Sequence, residues 1–414
     1  MNLICAYRLF ILNSIVHVLC LLVFSSTVFA NNTSIHSDKT IKLPFRYVQS
    51  FIILDVQLEK LVPIKLIFDT GAEHTILFEK IWTDIIAGSY VREIKVIGSD
   101  LQQEIPAILT SPLKLRFGGK HEFVSPMIVL KENVTNISQV IGESIQGILS
   151  AAIFSQYLIE IDFKHQLLIL RSKDYEIPTS FKPIDIEIYK NKPYIQTKVS
   201  SKNGSNQIMN LLLDTGAGLS LLMYSDSASL VNMPDKIIPG YLGSGLGGML
   251  TGFVGKIQYM SLDTFLVPGV ITHFLKIHTQ IGRNESQHKN GLIGNQILDR
   301  FTIILDYQKE ILYLKPINNY QEVLDYDKSG MLVISGGGNL QSYYVAYIVP
   351  NTPASEAGIH ENDQILKING WPVTFYSLAK INSILQGKAG KKINLKVKRD
   401  GKKMKFSFVL RPLI

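Results

Sequence analysis

The stretch Leu66-Ile67-Phe68-Asp69-Thr70-Gly71-Ala72 has a second copy in the chain, Leu211-Leu212-Leu213-Asp214-Thr215-Gly216-Ala217. In each copy an apolar run ends on an acid, a hydroxyl and a glycine. A short apolar run closed by turn residues reads as a buried strand. A carboxylate at the tip of such a strand lies where water is scarce, and a single buried charge there is costly. Two tips facing each other relieve that cost by sharing one proton. One Asp-Thr-Gly by itself is an ordinary turn after a strand. The duplicate turns it into two half-sites able to activate a water molecule.

The residues around each copy keep register. Asp69 to Gly147 is 78 positions and Asp214 to Gly291 is 77; Asp69 to Asp162 is 93 and Asp214 to Asp306 is 92. Gly98 and Gly243 each lie 29 beyond their acid, and Thr75 and Ser220 each lie six beyond. A period this long marks two structural copies rather than a solenoid. Short strand-like runs fill each copy, among them Phe51–Leu54, Thr75–Leu77, Met127–Leu130 and Ile159–Phe163 in the first. The second holds Tyr194–Thr197, Leu219–Leu222 and Thr302–Tyr307. Brief helices are expected at Ala151–Tyr157 and Asn295–Asp299, and the linker between the copies at Lys173–Lys182. Val, Ile, Leu, Tyr and Phe are abundant and long helical periodicities scarce, so the expected class is all-β.

These residues resemble the aspartic peptidase superfamily, with the retropepsin-like Asp-Thr-Gly-Ala carried in both halves of one chain, as in pepsin-like enzymes. The resemblance covers about Leu43 to Pro316. It implies a two-lobed double β-barrel, with lobes at 45–172 and 183–316, in which Asp69 and Asp214 meet at the lobe interface as the catalytic pair. It implies that Thr70 and Thr215 lock the two loops together and that the N–H groups of Gly71 and Gly216 hydrogen-bond the carboxylates. Ala72 and Ala217 would keep the floor of the cleft small. Glu73 and His74 read as surface or subsite residues, because the second copy has Gly218 and Leu219 there. The family's apolar-apolar-Gly crossing is met by Leu292-Ile293-Gly294 but not by Ile148-Leu149-Ser150, where the serine is expected to crowd the crossing.

Gly240, Gly243, Gly245, Gly247, Gly248, Gly252 and Gly255 fall within sixteen residues. So much glycine permits close approach to a ligand. The resemblance makes this a flap over bound peptide, with Gly243, Gly245, Gly247 and Gly248 at its tip. The matching region of the first lobe, around Gly98, is glycine-poor, so two flaps would differ.

From about Asp325 the chain resembles a PDZ domain of the kind attached to exported bacterial proteases, expected over 325–414. Pro353-Ala354-Ser355-Glu356-Ala357-Gly358, Asn369-Gly370, a helix at Leu378–Gln386 and a hairpin turning at Asp400-Gly401 carry the likeness. It implies capture of a peptide or chain terminus by strand addition, near Gly330-Met331-Leu332-Val333. Ser335-Gly336-Gly337-Gly338-Asn339 reads as a flexible insertion and matches no phosphate loop, since no Gly-Lys-Ser/Thr follows it.

Arg8, the apolar run Leu9–Phe24 and Val28-Phe29-Ala30 read as a secretory signal peptide over 1–30, followed by a flexible segment over 31–44. The protein is therefore expected to be exported, periplasmic or secreted, with no stable membrane span once the leader is cleaved. Both cysteines, Cys5 and Cys20, fall in that leader. The remainder has no thiol chemistry, disulfide or Cys-ligated zinc. No metal or cofactor is implied. The net charge of +8 sits mostly in the last module, which from Asp325 on carries 13 Lys/Arg against 6 Asp/Glu, a difference of +7. Without an aromatic ladder this reads as solvated strand faces, not a nucleic-acid surface. The function expected is that of an aspartic endopeptidase acting as a monomer on polypeptides. The alternative is a non-catalytic peptide-binding protein on the same scaffold.

Overall fold

The computed structural model describes residues 40–86, 88–98, 103–200, 206–225, 233–277 and 289–414. The expected signal peptide and its two cysteines lie outside these residues. Strands dominate, and among the described residues the longest helix is the eight-residue Leu378–Leu385. No helix there is long and apolar enough to cross a membrane.

The first lobe is built on a ten-stranded sheet. At its heart strand β1 (Val62–Asp69) runs parallel to β2 (Gly147–Ser150), with Leu66 opposite Gly147 and Asp69 opposite Ser150. β2 also pairs antiparallel with Thr75–Leu77, so it crosses directly behind the acid loop. A five-residue helix, α1 (Ile137–Ile141), precedes β2 and buries Ile137 and Ile141. The second lobe repeats this arrangement in an eight-stranded sheet. Strand β3 (Asn206–Leu213) runs parallel to β6 (Gly291–Ile293), with Leu211 opposite Gly291, and β6 pairs antiparallel with Leu221–Ser225. Between them a long hairpin, β4 (Ile237–Gly245) with β5 (Gly248–Leu262), pairs Gly245 with Gly248 across its tip.

The crossing strands are possible because each begins on glycine. A Cβ on Gly147 would overlap Ile76 O, and one on Gly291 would overlap Leu222 O. Apolar residues fill both faces of β1 and β3 where they reach the acids, at 66–68 and 211–213, as expected of strands with neighbours above and below.

The lobes are not separate barrels. A third, six-stranded sheet takes strands from both, in the order Ile41–Pro44, Leu167–Arg171, Leu158–Asp162, Phe301–Asp306, Ile311–Pro316, Lys182–Asp185. Its centre pairs Ile159 with Leu305 and Ile161 with Ile303. Asp162 and Asp306 cap the turns after their strands, through the backbone N–H of His165 and of Gln308 and Lys309. Lys173, at the start of the linker, pairs with buried Asp306 at 2.8 Å. One expectation is corrected here. Ile41–Pro44, read as the end of a flexible segment, is a strand antiparallel to Leu167–Arg171, with Ile41 and Leu43 buried. Its inner side chains supply the alternation that the polar residues before it hide.

The C-terminal module has its own apolar core and a sheet whose edge is β7 (Met331–Gly336). Helix α2 (Leu378–Leu385), capped by the Ser377 side chain on the Lys380 N–H, packs along that edge. The hairpin at Asp400-Gly401 has both residues at positive φ, 47° and 80°, as a two-residue primed turn requires. The glycine run is not a loose insertion. Ser335 and Gly336 pair with Tyr343 and Ser342, and only the residues between form the turn. Strand pairing constrains glycine as firmly as any residue once a partner strand is present.

Candidate functional site

β1 and β3 deliver Asp69 and Asp214 to one place. A Cβ on Gly71 would sit 2.7 Å from Asp214 Cγ, and one on Gly216 would overlap Asp69 Cγ. Each glycine thus lies flat against the opposite carboxylate, an approach that a side chain would block. The Gly71 N–H donates to Asp69 Oδ1 at 2.6 Å, and the Gly216 N–H to Asp214 Oδ1 at 2.8 Å.

The threonines tie the loops together with near two-fold symmetry. The Thr70 N–H donates to Thr215 Oγ1 at 3.0 Å and the Thr215 N–H to Thr70 Oγ1 at 3.0 Å. Each hydroxyl then donates onward, Thr70 Oγ1 to Leu213 O at 2.6 Å and Thr215 Oγ1 to Phe68 O at 3.0 Å. Both threonines are buried, so four backbone groups depend on two side chains.

Burial raises the proton affinity of both acids, and the two titrate as one unit. For Asp69 desolvation is joined by the charge of Asp214, and its carboxyl rises well above the ordinary carboxylate range. For Asp214 desolvation is opposed by the hydrogen bond from Asp69 and by the positive charge of Lys289 and Lys192. The two lysines thus favour the charged form of Asp214, while the pair as a whole holds its proton more tightly than free carboxyls do. Neither lysine stood out in the sequence, because only folding brings them towards the second acid.

Ser150 does not crowd the crossing. Its hydroxyl donates to Ala72 O at 2.6 Å and accepts from the Ala152 N–H, starting the short helix Ala151–Phe154. In the second lobe the equivalent carbonyl, Ala217 O, is served by the Asn295 backbone N–H at 2.8 Å. A Cβ on Gly294 would overlap Leu219 O and lie 2.7 Å from Ala217 O. The halves thus meet one need with different donors. Asn295 is fully buried and its Nδ2 bridges Thr215 O at 2.7 Å and Ser50 O at 2.8 Å, joining the second acid loop to the first lobe. A polar residue directly after an apolar-apolar-Gly crossing was the signal available for it.

The acids open into a cavity of about 370 Å³. Gly243, Ser244, Gly245 and Leu246 of the β4–β5 hairpin line it; Gly247 and Gly248, at φ 103° and 105°, complete the tip. Leu246 packs into an apolar cluster with Phe78, Ile137 and Ile141 of the first lobe. The equivalent hairpin of the first lobe, Tyr90–Ile97 with Glu104–Thr110, has its tip, residues 99–102, outside the described residues. Ala72 is buried beside the acids, Ala217 lines the cavity, and Glu73 and His74 pair on the surface at 3.6 Å.

Gly330, Met331, Leu332 and Val333 also line this cavity, with Leu385 of α2. Gly330 is held at φ 81° by its N–H to Asp327, and a Cβ there would overlap Thr352 Oγ1. The candidate peptide loop of the C-terminal module therefore faces the two acids, an arrangement nothing in the linear order announces. Among the described residues no group of three or more His, Cys, Asp or Glu could hold a metal ion.

Residues 344–399 match the PDZ domain family, so an all-β two-lobed body followed by a PDZ domain is the class of protein that the fold defines. The chain is similar to the probable protease eep of Enterococcus faecalis, 33% identical over 89 residues, which is 21% of this chain and 20% of that protein. It is also similar to putative zinc metalloproteases of Brucella suis and Brucella melitensis, 35% identical over 66 residues, 16% of this chain and 17% of each. The chain thus spans about a fifth of the length of the curated relatives it matches, and the shared part is the PDZ region. The crystal structure of aspartic proteinase from Irpex lacteus is similar to 69% of this chain and 100% of its own, with TM-score 0.42 and 14% identity.

Proposed function

We propose that the protein is an aspartic endopeptidase in which Asp69 and Asp214 activate one water molecule for attack on a peptide carbonyl. The observation that carries this reading is the mutual approach of the two carboxyls, each against the other loop's glycine, in a buried site that favours one shared proton. The ionised member of the pair takes a proton from the water as the water oxygen bonds to the carbonyl carbon. The protonated member gives its proton to the carbonyl oxygen. In the second half the amide nitrogen takes a proton from the pair, a hydroxyl of the tetrahedral diol gives its proton back to the pair as the carbonyl re-forms and the C–N bond breaks, and the dyad again holds a single shared proton. No covalent enzyme intermediate forms. The glycine hairpin β4–β5 acts as the flap over the bound chain, and the PDZ domain docks polypeptide. An exported, periplasmic or secreted, setting belongs to the same reading and rests on the leader-like first thirty residues.

Asp69→Asn and Asp214→Asn are each expected to lower cleavage of a peptide library by about 10²–10⁴-fold, with unchanged circular dichroism. Full activity in either variant overturns the dyad. A purely peptide-binding protein remains the second reading, favoured by the PDZ loop lining the cavity. It predicts peptide binding with no cleavage in the wild type.

A further inference from the structure

The PDZ edge strand β7 and helix α2 form the groove in which a domain of this family takes up an extended chain. In this protein half of that groove is filled from within. Gly142 ends α1 of the first lobe in a left-handed conformation, φ 84°. It lies between the far half of β7 and the first turn of α2, where a Cβ would sit 3.2 Å from Ser335 Oγ and 3.4 Å from Leu378 Cβ. The near half of the groove, Gly330–Val333, opens into the cavity of the two acids. On its other side α1 seats the flap, since Leu246 at the flap tip shares an apolar cluster with Ile137 and Ile141. One helix therefore touches the PDZ groove and the flap together.

Helix α1 is suited to yield. Five residues are far below the length at which a helix is stable by itself, and Asn136 at its start makes no side-chain cap. Apart from its capped end at Gly142 and the Ile145 N–H donated to Ser138 Oγ at 3.0 Å, tertiary contacts hold it in place.

We propose that α1 is a latch: an extended polypeptide segment with apolar side chains, adding as a strand to β7, displaces α1 from Ser335 and Leu378 and so frees the flap tip. Groove occupancy and flap opening are then coupled, and a docked chain unlocks the cleft beside it. The consequence for turnover rests on the dyad reading above; the displacement itself does not.

The test uses the full chain carrying Asp214→Asn, so that no probe is cut, and a pool of synthetic peptides ending in Val, Leu, Phe or Ala. Amide hydrogen exchange is followed in β7, in 137–142 and in 240–252. Peptide is expected to protect β7 while exchange in the other two segments rises about tenfold, the equivalent of roughly 1.4 kcal/mol. Gly142→Val, which adds a branched side chain at positive φ against Ser335 and Leu378, is expected to speed exchange of α1 and the flap without peptide and to tighten peptide binding about tenfold. Gly142→Ala is expected to do the same to a smaller degree, and it answers the question if the valine variant does not fold. Protection of β7 with α1 and flap exchange unchanged overturns the latch, as does a folded Gly142 variant with no gain in peptide binding. If Asp214→Asn still cleaves, the dyad fails and the exchange result still decides the latch.

Discussion

Thr70 and Thr215 carry more than their size suggests. Each hydroxyl accepts one buried N–H and donates to one buried carbonyl of the opposite lobe. Thr70→Ala leaves the Thr215 N–H and Leu213 O without partners, and the expected loss is about 2–6 kcal/mol, from roughly 1–3 kcal/mol per stranded buried group. Thr70→Ser keeps both bonds and is expected to stay within about 1 kcal/mol of the wild type. The double Thr70→Ala, Thr215→Ala variant should lose less than the sum of the singles, since both break one network. Urea unfolding measures all three. A second residue sets an acid limit. Burial in the second lobe lowers the His273 imidazole to about 4, against 6.5 when free, with only a hydrogen bond to Leu221 O opposing it. The unfolded chain therefore binds the extra proton first as the pH falls. Stability is fully present above pH 6.5 and declines as pH drops through the window down to about 4, by up to about 3 kcal/mol. His273→Gln is expected to flatten that slope, read as the urea midpoint at pH 7 against pH 4.5.

At the scale of elements, the crossing strands β2 and β6 decide whether the acid loops stand up. Both must pass within van der Waals contact of a backbone carbonyl, and a single methyl on Gly147 or Gly291 removes that clearance. Gly291→Ala is expected to cost about 3 kcal/mol, the upper end of overpacking penalties, because the obstacle is backbone and cannot rotate away. Its measured unfolding free energy checks this, and a loss under about 1 kcal/mol would show that β6 has room to shift. Much of this level was legible in advance. The glycines 78 and 77 positions beyond Asp69 and Asp214 marked both crossings, and the apolar runs before the acids marked β1 and β3. Ser150 was misread because its acceptor, Ala72 O, lies 78 positions away and shows only when β2 has crossed behind the loop. Helix α1 went unnoticed because five residues display no helical period.

For the whole molecule, the six-stranded sheet decides how the parts melt. Three strands of the first lobe join three of the second edge to edge in it, and one apolar core runs from Ile41 through Phe154 and Phe274 to Leu314. The PDZ domain has a separate core around Val345, Ile381 and Val397. Calorimetry is therefore expected to show the lobes unfolding in a single transition, and the PDZ domain in a distinct one. Two transitions assignable to the separate lobes would show that the shared sheet does not couple them.

By itself the sequence determined the all-β class, the duplicated acid loop and the PDZ module, because each is written in local patterns: apolar runs, turn residues and a repeated register. Only the tertiary structure decided that Lys192 and Lys289 favour charge on Asp214, that Ile41–Pro44 is a strand, and that the PDZ groove faces the two acids with α1 lodged in it. These are contacts between residues far apart in the chain, and no local pattern encodes which distant surface a helix end or a charged group will meet.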